Sequence, residues 1–295
     1  MVAALAQTDQ KREALEYALE AAARFPSDPD PINNLANLQR ELGLELESEE
    51  SYKKTIALQP KHPEANYNLG SLLCDLHRFD EAEPYLRTAI ESNEGYAEAY
   101  NNLANLLSEL NRLAEAEECY RKVVELKPLD AQPLANLSVL MLEQGYLDKA
   151  LRFSDVALSR DPGSAEALSA RGSLMLALGR LGESRENYEK SLEANSKYVK
   201  ARYNLGILLL TEGDLVSGFA LYENRLRMNP PTARPPRPNL QWDGKVDVAG
   251  KRFLVYEEQG LGDSIQFCRY LVTLSRMGAE VTFEVDRKLH RLLQP

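Results

Sequence analysis

Residues 97–130 read AEAYNNLANLLSELNRLAEAEECYRKVVELKPLD, and the same 34-residue plan recurs on both sides of them. Its anchor is a leucine followed by a small residue: Leu35-Ala36, Leu69-Gly70, Leu103-Ala104, Leu137-Ser138 and Leu205-Gly206, with Arg171-Gly172 as the departure. Twelve positions after each of those small residues stands another: Ser48, Ala82, Ala116, Ala150, Ser184 and Gly218. Two small residues at that offset let two antiparallel helices touch almost backbone to backbone. A third line is mostly aromatic or apolar (Tyr52, Leu86, Tyr120, Tyr188, Tyr222, with Ser154 as exception) and fills the gap to the next helix pair. Pro60, Pro128, Pro162 and Pro230 fall where a second helix should stop, because proline cannot continue one.

The period and the order small, small, aromatic, proline resemble the tetratricopeptide repeat, a helix-turn-helix unit that stacks into a solenoid. Full units run 29–62, 63–96, 97–130, 131–164, 165–198 and 199–232. Residues 1–28 fit the second half of a further unit, with Ala14, Ala18, Ala21 and Pro26 at the matching positions, so the chain is expected to begin inside a repeat. The fold class is therefore mostly α: a right-handed α-solenoid over residues 1–230, of about thirteen helices. Each unit buries its apolar face only against its neighbours.

Charge narrows the partners. The formal net charge is −10, and residues 231–295 carry +2 of it, leaving −12 on residues 1–230. An acidic array lacks the basic stripe that nucleic acid requires, and it mildly favours basic or neutral partners. Cys74, Cys119 and Cys268 are far apart, and His62, His77 and His290 form no ligand cluster with them, so no metal site is indicated. Cys74 and Cys119 read as small core hydrophobes. The N-terminus lacks a basic leader and a cleavage pattern, and no stretch reaches the ~18 apolar residues of a membrane span. A cytoplasmic setting is the expectation.

The periodicity stops at Pro230. The segment that follows is rich in proline (Pro231, Pro235, Pro236, Pro238), which makes residues 231–250 a stiff, extended linker. Beyond it the pattern changes to strand over Arg252–Tyr256, loop EEQGLGD, helix from about Ser264 to Met277, and strand over Glu280–Val285. Strand, glycine turn, helix, strand is a Rossmann-like βαβ unit opening a parallel sheet. Two strands do not make a domain, since parallel sheets are covered by helices on both faces. Residues 251–295 therefore read as an incomplete α/β segment of a larger domain.

The loop Gly260-Leu261-Gly262-Asp263 lies beyond the carboxyl end of the first strand, where α/β sheets bind ligands. Gly260 and Gly262 permit close approach to a phosphate or sugar group. Asp263 has two readings, a cap on the helix that follows or a functional carboxylate. From about residue 212 onward the chain resembles a recurrent bacterial type in which tetratricopeptide repeats precede a glycosyltransferase-like domain. The GLGD loop is similar to the first loop of heptosyltransferases, which have the two-lobed GT-B fold. That resemblance implies Asp263 as general base on an acceptor hydroxyl. It also implies a sugar nucleotide for a longer parent protein, the donor site lying in a second lobe; the chain itself requires no cofactor.

A second constellation lies in the repeats. Asn34, Asn68, Asn102, Asn136 and Asn204 each precede the leucine position, and Ala170 is the gap. Stacking aligns them as a ladder on the concave wall. A primary amide carries donor and acceptor together and can hold an extended peptide backbone without reading its sequence. This resembles the asparagine ladder of the O-GlcNAc transferase superhelix. The other reading is that these amides bond the neighbouring repeat. Two functions follow: a scaffold that recruits a protein or extended peptide, or the acceptor-selecting region and first half-lobe of a GT-B glycosyltransferase. For the chain as it stands the first is favoured, and the chain alone is expected to be non-catalytic.

Overall fold

The computed structural model describes residues 2–228, 242, 247–256, 268–285 and 287–289, with side chains from residue 13 onward. The described chain divides into two compact units, Met1–Tyr222 and Glu223–Pro295.

The first unit is a run of helix pairs. A leading helix, α1 (Val2–Arg24), is followed by α2 (Pro29–Glu41) with α3 (Glu45–Leu58), and α4 (Pro63–Asp75) with α5 (Phe79–Ser92). Then come α6 (Ala97–Glu109) with α7 (Leu113–Leu126), and α8 (Gln132–Glu143) with α9 (Leu147–Arg160). The run closes with α10 (Ala165–Ala177) and α11 (Leu181–Ala194), then α12 (Val199–Glu212) and α13 (Leu215–Tyr222). Every full repeat thus supplies two helices, as the spacing requires. The leading segment differs: α1 is a single 23-residue helix with no turn inside it. The turn position of a repeat would fall at Asp9, which is neither glycine nor asparagine.

The small–small pairs do bring backbones together, and serines at those positions prove it. Ser48 Oγ donates to the Ala36 carbonyl at 2.9 Å, Ser138 Oγ to that of Ala150 at 2.8 Å, and Ser184 Oγ to that of Gly172 at 2.8 Å. Where both partners are apolar, as at Gly70 with Ala82 and Ala104 with Ala116, the alanines are fully buried. The third line closes over the pair: Tyr52, Leu86, Tyr120 and Tyr188 are all buried. A methyl group at Gly172 would stand 2.6 Å from the Tyr188 ring, and one at Gly206 2.7 Å from the Tyr222 backbone nitrogen.

A further 34-residue line marks the turn between the two helices of each repeat. Gly43, His77, Asn111, Gly145, Gly179 and Gly213 all have positive φ. The left-handed residue stops the first helix and lets the chain reverse.

Successive first helices lie against one another (α2 with α4, α4 with α6, α8 with α10, α10 with α12), and no pair of successive second helices does so to a like extent. The first helices therefore form the inner side of the stack. Between α8 and α10 the contact runs longer than in the other pairs. There Ala170 is buried and Arg171, in place of the core leucine, turns outward to pair with Asp155 at 2.6 Å. The hydrophobic core divides at this point. One cluster runs from Ala36 to Met175, and a smaller one gathers Tyr188, Leu205, Leu208 and Leu209.

In the second unit β1 (Arg252–Tyr256) pairs in parallel with β2 (Glu280–Glu284), Arg252 opposite Glu280 and Tyr256 opposite Glu284. α14 (Arg269–Arg276) lies between them in sequence and has no buried residue. This is a two-stranded parallel sheet with a connecting helix, short of a Rossmann-like domain. Gly260, Gly262, Asp263, the proline-rich linker apart from Trp242 and residues 247–250, and the helix start expected near Ser264 lie outside the described residues. Among the described residues, no helix is long and apolar enough to cross a membrane.

Candidate functional site

The asparagines of the ladder sit on the first helices, at the seams between repeats. Asn68 Nδ2 donates to Asn37 Oδ1 of the preceding repeat at 2.9 Å, and the Tyr52 hydroxyl donates to the same oxygen at 2.7 Å. Asn204 Nδ2 donates to Ser173 Oγ at 3.2 Å, which in turn shares a 3.1 Å hydrogen bond with the Tyr188 hydroxyl. Asn136 Nδ2 donates to Asn101 Oδ1 at 3.3 Å. Asn102 lies beside the Tyr67 hydroxyl of the preceding repeat. Asn34, preceded by α1 rather than a repeat, is exposed. Each amide with a repeat before it is thus engaged by that repeat.

The consequence is orientation. With Nδ2 held by the neighbour, Asn68, Asn136 and Asn204 have their carbonyl oxygens left over, and each side chain is half-buried. Ala170 is buried against the closely approaching α8, so a full amide has no room there. The gap in the ladder and the tight α8–α10 contact have one cause.

Three features of this face were not anticipated from sequence. The tyrosines of the third line reach through the pair to orient residues three positions after the ladder; Tyr120 donates to Asn105 Oδ1 at 2.5 Å as Tyr52 does to Asn37. Arginines that open second helices tie repeats together: Arg78 pairs with Glu81 of its own helix and Glu49 of the repeat before, and Arg112 with Glu115 and Glu83 in the same way. The signal was present, since Arg78, Arg112 and Arg180 are spaced at 34 or its double. Third, the first turns of α2, α4 and α6 carry Asp30, Glu64 and Glu98, again 34 apart.

Those first turns border two grooves. The larger, of about 720 Å³, is lined by Asp30, Asn33, Asn34, His62, Glu64 and Tyr96, among others. The smaller, of about 150 Å³, includes Tyr67, Asn101, Asn102 and Lys127. Tyr67 and Tyr96 stack at 4.8 Å between ring centroids. Burial pushes the Tyr96 phenol well up, and Tyr67, Glu64 and Glu98 add to it. The ring therefore stays neutral beside carboxylates. Burial also pushes the Cys74 and Cys119 thiols up to about 11, which suits inert core positions rather than nucleophiles. Among the described residues, no group of three His, Cys, Asp or Glu side chains could hold a metal ion.

Family models described as tetratricopeptide repeat match residues 62–128, and 101–165 with 169–231. Together they cover more than half of the chain. It belongs to the tetratricopeptide repeat proteins. No curated protein matches the chain. A tetratricopeptide repeat protein of Parabacteroides merdae is similar at 20% identity, over 69% of this chain and 79% of that one, with a TM-score of 0.55. TTC0263 of Thermus thermophilus is similar at 23% identity, over 62% and 99%, with a TM-score of 0.52. YrrB, described as a tetratricopeptide repeat protein with an unusual peptide-binding site, is similar at 21% identity over 63% and 96%, with a TM-score of 0.51. At these identities the likeness is one of fold. The tetratricopeptide repeat matches end at residue 231, and neither names a glycosyltransferase.

Proposed function

We propose that the array is a scaffold that takes an extended peptide, or an extended segment of a protein, along the first helices. The observation that carries this is the fixed direction of the ladder amides: Asn68, Asn136 and Asn204 give their N–H groups to the preceding repeat and keep their carbonyl oxygens. A row of acceptors suits the N–H groups of an extended backbone, which need no particular side chains. The repeat fold itself supports protein recognition as the general role, and the peptide-binding site named for YrrB is consistent with it. Right-handed stacking with the ladder on a concave wall belongs to the same reading, and the inner position of the first helices supports it.

The test is a displayed random-peptide library selected on the full chain, followed by the triple variant Asn68→Ala, Asn102→Ala and Asn136→Ala. Binding of the selected peptides should fall at least tenfold while helicity is kept. Unchanged affinity would make the asparagines purely structural.

A second reading keeps the resemblance to GT-B glycosyltransferases, and the parallel β1–α14–β2 unit is the observation that favours it. In it the repeats select acceptors, Gly260 and Gly262 border a sugar or phosphate site, and Asp263 is the general base. In a protein carrying both lobes, Asp263→Asn should then slow transfer ~10²–10⁴-fold. Full activity of that variant would return Asp263 to the role of a helix cap.

A further inference from the structure

The groove at the first turns of α2, α4 and α6 has a chemistry of its own. Its rim carries Asp30, Glu64 and Glu98, one from each repeat. Acidic residues in a first turn are favoured by the helix dipole, so their presence alone implies no ligand. Their pairing is uneven, however. Asp30 meets His62 Nε2 at 3.3 Å, and Glu98 meets Lys127 at 2.5 Å. Glu64, the middle rung, has no cation among the described residues; its hydrogen-bond donor is the Asn33 amide at 3.5 Å.

Asn33 supplies the second observation. It lines the groove while only 2% exposed. Its Nδ2 is directed to Glu64, and its Oδ1 is buried with no hydrogen-bond partner. A buried carbonyl oxygen without a donor is costly, because it has lost its water and gained no hydrogen bond in exchange. A carboxylate without a cation among the described residues and an orphaned amide oxygen on the neighbouring helix ask for the same thing, a group rich in N–H donors and positively charged. The neutral ring of Tyr96 in the groove wall, stacked on Tyr67, offers such a group a face.

We propose that this groove receives a basic side chain, arginine above all, of the peptide that lies along the array. The guanidinium bridges Glu64 and Asn33 and covers Tyr96. Arginine fits better than lysine because its planar fork presents several donors in fixed directions, enough for a carboxylate and an amide together. The excess negative charge of residues 1–230 favours the same class of partner. This inference rests on the peptide reading above and names the class of peptide.

The probe is N-acetyl-arginine N-methylamide, titrated to millimolar concentration into the ¹⁵N-labelled full chain, with N-acetyl-glutamate N-methylamide as control. Saturable shifts are expected at the Asn33 side-chain amide and the Gly95 and Tyr96 amides, and none with the control. Glu64→Gln, on an exposed position that leaves the fold intact, should weaken arginine binding about fivefold, and Glu64→Lys should abolish it. Absent shifts, or shifts undiminished in both variants, overturn the proposal. If arginine leaves the groove untouched while the triple asparagine variant still loses its peptides, the cation site falls and the peptide reading stands. If arginine binds as expected while that variant keeps its peptides, the cation site stands without the ladder.

Discussion

His77 and Asn111 occupy turn positions that glycine holds in the other four full repeats. A side chain at positive φ costs roughly 1–2 kcal/mol, and asparagine less than most residues. His77→Gly should therefore raise stability by about 1 kcal/mol, less whatever its edge contact with Phe79 supplies, and Asn111→Gly by a smaller amount. Denaturant melts that reverse this order, or show a loss at His77, would count against the strain argument. The opposite sign is expected at position 116, where the side chain is fully buried between two helices. Ala116→Leu should cost about 1–3 kcal/mol by overpacking, read as a lower denaturation midpoint. These two cases differ in how far sequence reveals them. Ala116 belongs to a line of small residues with one chemical meaning. The turn line mixes glycine, histidine and asparagine, so its shared backbone state is hidden in residue types that have other uses.

Between repeats, the link most open to titration is Glu49 with Arg78. The hydrogen bond from Arg78 holds the Glu49 carboxyl below the usual carboxylate range, against the opposing pull of burial, and Lys53 adds to it. A carboxyl depressed in the folded state contributes stability above its unfolded pKa of about 4.3, and that contribution is lost as pH falls through the lower folded value. Acid melts should therefore show α3 and α5 loosening from each other below about pH 4, and Glu49→Gln should flatten that slope. An identical slope in the variant would remove the pair from the account. At this scale the sequence exposed the helices and their order, because small and aromatic lines are set by packing within one repeat. It did not expose the direction of the asparagines. Asn68 is oriented by Asn37 and Tyr52 together, and that triad unites two repeats at offsets no single-repeat pattern contains. The loop at Asp263, carried by resemblance rather than by packing, lies outside the described residues.

Across the whole array, the substitution of Arg171 for a core leucine has the widest reach. Two clusters of buried side chains meet there without merging. Solenoids unfold by nearest-neighbour rules, so α11–α13 should open before α2–α9, giving hydrogen exchange that is fastest at the two ends and slowest in α6–α8. Arg171→Leu should join the clusters. Burying the leucine contributes about 1.5–3 kcal/mol, and the lost pair with Asp155 forfeits about 0–1 kcal/mol, so the two opening steps should draw together. Separate steps in the variant would show that the α8–α10 contact, not the missing leucine, divides the array. The salt links between repeats carry a different implication, for lineage and engineering. Repeat 63–96 holds both an acceptor for the next unit, Glu83, and a donor for the previous one, Arg78. It is thus self-compatible for this link: in a tandem copy placed after residue 96, the copied Arg78 would meet Glu83 and the copied Glu83 would meet Arg112, while the copied Asp75 would face Cys74 instead of an arginine. The scaffold could be lengthened by duplication there with this link kept at both junctions, whereas a copy of 131–164 would bring neither half of it.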